Sequence, residues 1–588
     1  MMSINKTKIK TTKSVGAYIG VFILLFISAC STAIDTTMIN DNSSPLPKVV
    51  TKNARHAFLV DGKPYLILGT QTNNSANYPG ALKDVWPAVK KTYANTLSIP
   101  VAWEQIEPEE GKFNFSYLDV LIKEAQKNDV RLTLLWFATW KNNAPHYAPS
   151  WVKLNNKRFP RVMKKDGTLL NSMSPLGKNT LAADKKAFIE LMKYLKTNDP
   201  NHTVIMVQVE NEVGTYGSKR DFSPMAQKVF EQAVPQVLLD GLNITKTGDW
   251  STVFGKDADE FFHAWYIARF CQEVTLAGKA IKNLPINVNV ALRNPFHPGD
   301  GYSMGGPTDN VIDLWKIAAP DIDMITPDIY FRDHKTVSKV LELYSRDDNP
   351  LFVSEIGNDQ PYARYFFTTL GEQGIGFSPF GLDYTDYYNY PLGAKKVDDE
   401  TIAPFAQNYK LLKPMADVWA KLSFEGEVWG VAEPFDTQIA QKKVWNAQAT
   451  QAEKDSYAEE QEKSAKENAH RYTQYLDLGL WNAEVTYGRP MFWIDPPTGN
   501  TPSSGGALIA KLSENEFLVT AYRARVTFTP SEEITLPYHM VERVEEGHFE
   551  NGQWIFERVW NGDQTDWGLN FTSRPHVLKV TMAAYSPE

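Results

Sequence analysis

Cysteine is almost absent from this chain. Cys30 and Cys271 stand alone in 588 residues, too few for a disulfide framework. Cys271 lies in FFHAWYIARFCQEV, which reads as a helix face, and a buried free thiol is expected there. The ten histidines are scattered and form no HExxH, and no paired-cysteine motif exists, so neither a metal nor a cofactor is expected. No glycine-rich dinucleotide or phosphate loop succeeds the first apolar run. Outside the N-terminus there is no basic run, and the formal net charge is −8. That argues against a nucleic-acid partner and is compatible with a neutral ligand.

The N-terminus is an address rather than a fold element. Lys6, Lys8, Lys10 and Lys13 precede an apolar stretch, Val15 to Ala29, that is short for a membrane-spanning helix. It closes on Ile27-Ser28-Ala29-Cys30, which resembles the lipobox of bacterial lipoproteins. The resemblance implies a signal peptide over 1–29 and lipidation of Cys30, and Ser31 after the cysteine points to the outer membrane. A plain signal peptide, with a soluble periplasmic or secreted product, is the alternative. Residues 30–54, rich in Ser, Thr, Asn, Asp and Pro, read as a flexible tether.

The chain as a whole has the composition of a large globular protein, with 43% hydrophobic and 22% charged residues, enough apolar material for an extensive core. Between 55 and 425 eight short apolar runs alternate with amphipathic segments: YLILGTQ, TLSIPVAW, VRLTLLWF, TVIMVQVE, PINVNVAL, DMITPDIY, PLFVSEIG and GIGFSPFG. Segments such as YLDVLIKEAQKN, DKKAFIELMKYLKTND and HKTVSKVLELYSR repeat apolar residues at spacings of three and four and predict helices. Eight βα units predict a (β/α)8 TIM barrel, whose chemistry sits at the C-terminal strand ends. An open doubly wound sheet is the alternative. Residues 426–472 read as a linker with a charged helical insert over 440–472. From 473 to 588, alternating segments separated by NG and GG turns predict an all-β sandwich.

Two runs end anomalously. In TVIMVQVENEVGTYG an apolar strand runs out into Glu210, Asn211 and Glu212, and in LFVSEIG another ends on Glu355. An unpaired buried carboxylate costs on the order of 3 to 5 kcal/mol, so two at strand ends need a use. Strands four and seven of an eight-stranded barrel face each other across its mouth. Two carboxylates about 5 to 5.5 Å apart are the machinery of a retaining glycosidase. The bland alternative is that each glutamate pairs with an arginine or lysine.

QVENEVGTYG resembles the acid/base segment of family 35 glycoside hydrolases, the β-galactosidase family. FLVDGKPYLILGTQTNNSA, WEQIEPEEGKFNFSYLD and LFVSEIGND are similar to its opening strand, its second-strand signature and the nucleophile segment of a bacterial branch; the WEQIEP element is shared with family 42. The tail resembles the uncharacterised β-rich domain of that branch. The resemblance implies Glu212 as acid/base, Glu355 as nucleophile and Asn211 as donor to the substrate 2-hydroxyl, with Glu210 supporting through a bond to a neighbouring strand. Tyr330 would bind the nucleophile or ring oxygen, a core tyrosine being the alternative. Gln71, Asn73 and Asn74 end the first strand with amides suited to sugar hydroxyls. Trp136 and Trp140 are candidates for a stacking wall or for core.

The chain departs from the animal and fungal members, which place a tyrosine at the end of strand two and a carboxylate in a PYICAEW-like third strand. Pro100 and Thr139 stand there instead. The expectation is a retaining exo-β-galactosidase acting on oligosaccharides, including xyloglucan fragments. A glycosidase of other sugar specificity, such as a β-glucosaminidase or a family 42-like enzyme, and a non-catalytic glycan-binding lipoprotein are the alternatives.

Overall fold

The computed structural model describes residues 44–299, 301–434, 451, 469–489, 496–574 and 576–587. All eight apolar runs are strands of one closed parallel barrel. β1 (Ile67–Gln71), β2 (Thr96–Ala102), β3 (Arg131–Lys141), β4 (Val204–Asn211), β5 (Ile286–Ala291), β6 (Met324–Ile329), β7 (Phe352–Ile356) and β8 (Gly376–Pro379) succeed one another around the ring. The ring closes where Gly376 of β8 pairs with Ile67 of β1. Every residue of β4 is buried, as a strand covered on both faces requires. The helices Ser116–Lys127, Lys178–Asn198 and His334–Tyr344 lie where the three- and four-residue spacing puts them. Cys271 is buried and unoxidised.

The lower end of the barrel is closed by a small antiparallel sheet of Lys48–Lys52, Arg55–Val60 and Lys63–Pro64. Phe58 and Val60 pack there on Ile67, Ile205, Met206, Met324 and Phe352. The tether therefore ends earlier than 54. Val49 and Val50 pair with Phe58 and Ala57, and a turn with positive φ at Asn53 and Ala54 makes 48–60 a hairpin. The signal segment and residues 30–43 of the tether lie outside the described residues.

The C-terminal part is all-β: a six-stranded and a four-stranded antiparallel sheet enclose a second core around Trp481, Ile509, Val519, Val526 and Leu578. Its first strand comes sooner than the boundary at 473. Val428–Ala432 pairs along its whole length with Gly506–Ala510, because VWGVA, though short, supplies an apolar edge strand. Most of the charged insert at 440–472 lies outside the described residues.

Barrel and sheets meet at the helix Tyr365–Gly371, which lies against Val428–Ala432. Gly371 and Gly430 touch backbone to backbone: a Cβ on Gly371 would fall 2.2 Å from the Gly430 nitrogen. The Ala432 amide donates to Thr368 Oγ1 at 3.0 Å. Just beyond, buried Glu433 accepts from the amides of Asn500, Ser504 and Gly505.

Candidate active site

The strand ends that carry charge converge. Glu355, at the end of β7, is 6% exposed. Its Oε1 accepts from the Tyr330 hydroxyl at 2.6 Å and its Oε2 from Gln71 Nε2 at 2.6 Å. Glu212, one residue past β4, and Asp328, on β6, complete a cluster in which one oxygen of each carboxyl lies within 4.8 Å of the others. Asp328 sits directly beside Glu355 in the parallel register.

The end of β4 is bent to deliver these groups. Glu210 and Glu212 have φ of 60° and 45°, the left-handed region that costs a non-glycine residue roughly 1 to 2 kcal/mol each. Neighbouring strands hold the bend. Glu210 Oε2 accepts from the Trp140 amide at 2.7 Å, which is the supporting bond to a neighbouring strand expected of it. The Glu212 amide donates to Asn289 Oδ1 at 2.9 Å, and Asn143 Nδ2 donates to the Glu212 carbonyl at 2.7 Å. Strain held by surrounding bonds is common where a strand end carries function.

The electrostatics divide the carboxyls. Burial and the charge of Glu355 push Glu212 up to about 7, with the Lys141 ammonium pulling the other way. Asp328 is raised well above its ordinary value by burial and by Glu355 and Glu212, and so holds its proton more tightly than a free aspartate does. It accepts from Asn289 Nδ2 at 2.6 Å. Behind β4, burial and Asp184 keep Glu210 raised as well. Asp184, fully buried on the helix Lys178–Asn198, accepts from Trp136 Nε1 at 2.9 Å and from Thr139 Oγ1.

The sequence-derived candidates separate into two groups. Glu212, Glu355, Tyr330, Gln71 and Asn211 are brought together. Asn73 stands beside them, its amide and Nδ2 both held by Asp383; Asn74 lies next to it with a buried Oδ1 that has no partner among the described residues. Trp136 and Trp140 are not a stacking wall. Both are fully buried, Trp136 against Phe188 and Trp140 against Phe270, because they lie on the side of β3 that meets the helices rather than the mouth. Between them the pairing of β3 with β4 is irregular, and Thr139 turns to Asp184 as well.

Sequence reasoning misses three residues of the mouth. Asp328 shows the same anomaly as Glu355, a carboxylate closing an apolar run. Asp383 comes just after β8 and holds Asn73. Lys141 ends β3 at 5% exposure, its Nζ donating to Asn211 Oδ1 at 2.8 Å and to Asn142 Oδ1.

Residues 81–265 match the Glyco_hydro_42 family, described as Beta-galactosidase. Residues 405–572 match a domain of unknown function, DUF5597, which runs from the last barrel helices into the β-sheets. Beta-galactosidase 11 of Arabidopsis thaliana is 35% identical over 85 residues, 13% of this chain and 10% of the relative. The β-galactosidase of Bacillus circulans sp. alkalophilus is 14% identical, with a TM-score of 0.44 over 62% of this chain and 61% of its own. The catalytic domain of β-amylase from Paenibacillus polymyxa is 13% identical, with a TM-score of 0.41 over 53% and 91%. The chain thus spans a tenth of the curated relative it matches and about three fifths of that β-galactosidase structure.

Proposed function

We propose that this chain is a retaining exo-β-galactosidase that removes terminal β-galactosyl residues from oligosaccharides, xyloglucan-type plant cell-wall fragments among them. The observation that carries the reading is the approach of Glu212 and Glu355, with oxygens within 4.8 Å. Retaining glycosidases hold their carboxyl groups about 5 to 5.5 Å apart, whereas inverting ones leave about 6.5 to 9.5 Å for a water. Galactose is supported by the match of residues 81–265 to the β-galactosidase family and by the family 35 resemblance of QVENEVGTYG.

Glu355, held between Tyr330 and Gln71, attacks the anomeric carbon. Glu212, about half protonated near pH 7, gives its proton to the leaving oxygen. Water then enters, Glu212 takes its proton, and the glycosyl ester on Glu355 is cleaved with the configuration retained. Oligosaccharide rather than disaccharide is favoured by exposed tyrosines on loops after the barrel strands. Tyr78 comes after β1, Tyr216 after β4, and Tyr387, Tyr388 and Tyr390 after β8. Their rings offer flat faces to sugar CH groups.

The test is a panel of nitrophenyl glycosides with the anomer of the first product read by NMR. The expected outcome is hydrolysis of the β-galactoside with β-galactose appearing first, and loss of about a thousandfold or more in kcat for Glu355→Gln, as for a missing nucleophile. Full activity in Glu355→Gln, or α-galactose as the first product, refutes the assignment.

The N-terminal lipid anchor at Cys30 belongs to the same proposal and places the enzyme at the outer membrane. Detergent-phase partitioning lost in Cys30→Ala supports it, and unchanged partitioning refutes it. Among the described residues no helix is long and apolar enough to cross a membrane.

A further inference from the structure

The turn that ends β3, Lys141-Asn142-Asn143, grips the end of β4 at three points. Lys141 Nζ donates to Asn211 Oδ1 at 2.8 Å, the Asn142 amide donates to the Asn211 carbonyl at 3.2 Å, and Asn143 Nδ2 donates to the Glu212 carbonyl at 2.7 Å. Asn142 and Asn143 both take positive φ to make this turn. The grip decides which way the Asn211 amide points. A carboxamide has one accepting oxygen and one donating NH2. With the oxygen taken by an ammonium, the amide cannot flip without placing its NH2 against Lys141. Asn211 Nδ2 is buried and has no partner among the described residues, a donor left over for a ligand. Lys141 is itself almost fully buried, its ammonium over the Phe137 ring, so the charge is fixed in the mouth rather than drifting in solvent.

Resting on the glycosidase reading above, we infer that Lys141 is a positioning and specificity-determining residue. It locks the Asn211 amide with Nδ2 toward the substituent next to the anomeric carbon, and its positive charge selects a hydroxyl there over an ammonium. The lock aims a donor at a 2-hydroxyl. The charge repels the cation of a 2-amino-2-deoxy sugar, which would sit in a site of low dielectric where like charges are poorly screened. This favours galactosides over glucosaminides and galactosaminides, a distinction the two glutamates cannot make. The ionisable groups facing this corner are Glu212 just past β4, Asp328 from β6, Tyr330 just past β6, Glu355 from β7 and Tyr216 from the loop after β4. Lys141 offsets the mutual repulsion of the three carboxyls, so its removal shifts the alkaline limb of the rate profile upward as Glu212 holds its proton more tightly.

The experiment compares nitrophenyl β-galactoside with its 2-deoxy and 2-amino-2-deoxy analogues, using wild type, Lys141→Met, Lys141→Gln and Asn211→Ala. In wild type kcat/KM should fall about a hundredfold or more on loss of the 2-hydroxyl, and further for the 2-amino sugar. In Lys141→Met the 2-deoxy penalty should shrink to less than about tenfold, as in Asn211→Ala, and the 2-amino sugar should become the better of the two analogues. Lys141→Gln keeps a donor without the charge: it should retain most of the 2-deoxy penalty while losing the extra rejection of the amine. A thermal melt checks that each variant is folded, and Lys141→Gln serves if Lys141→Met is not. An undiminished 2-deoxy penalty in folded Lys141→Met, unchanged rejection of the amine in both lysine variants, or no 2-deoxy penalty in wild type overturns the inference. Failure of wild type to cleave any β-galactoside overturns instead the reading on which it rests.

Discussion

Replacing Glu212 by glutamine should make the protein more stable, and only above a certain pH. In the fold this carboxyl is pushed from 4.5 to about 7 by burial and by the charge of Glu355. Its proton is therefore bound more tightly folded than unfolded. The stability this contributes is fully present below about 4.5 and is lost as pH rises through about 7. A displacement of that size is worth about 3 kcal/mol, and partial exposure of the side chain trims it to roughly 2 to 3. Glutamine cannot ionise and escapes the loss. With an unfolding entropy of about 0.8 kcal/mol per kelvin for a barrel of this size, Glu212→Gln should melt with wild type at about pH 4 and about 2.5 to 4 °C above it at about pH 8. Differential scanning calorimetry across that range is the assay. A melting difference that stays flat from acid to alkaline pH refutes the claim that Glu212 carries the displaced proton.

Two further substitutions probe the neighbours. Tyr330→Phe removes the 2.6 Å bond to Glu355, a charge-assisted contact worth about 1.5 to 3 kcal/mol; kcat/KM should fall about 10- to 100-fold, and an unchanged value would place the tyrosine outside the reaction. Asp328→Asn keeps the shape of a carboxyl whose proton is held more tightly than in a free aspartate, so activity at about pH 7 should stay within about tenfold of wild type, a cost under about 1.4 kcal/mol; a thousandfold loss would mean that the ionised form is needed.

Much of this architecture is legible in the chain because parallel barrel strands, covered on both faces, must be written as continuous apolar runs. All eight runs are strands in the order read. Glu212 and Glu355 stand out for the same reason, since a carboxylate closing such a run has no cheap explanation. The property that reveals the strands also hides their facing: when both sides are apolar, alternation vanishes, and nothing in VRLTLLWFATW distinguishes a mouth-facing tryptophan from one that turns, as Trp136 and Trp140 do, toward Phe188 and Phe270. Lys141 escapes a reading of the chain because a lysine beside two asparagines looks like an exposed turn, and its burial depends on β4 lying alongside. Asp184, in a helix rich in lysine, has the look of solvent-facing charge; only the tertiary fold sets it against Glu210. Asp328 is within reach of the sequence, since TPDIY ends as VSEIG does.

The two glycines that meet at the seam settle how the C-terminal sheets can serve the barrel. Gly371 ends the helix that comes after β7, the strand bearing Glu355, and it presses on Gly430 with no side chain between them. Backbone against backbone leaves no cushion to take up a slip, so the sheets form an abutment set behind the βα unit that carries Glu355. A shift of the first strand of the C-terminal sheets would thus press directly on the helix Tyr365–Gly371, with no side chain between them to absorb it.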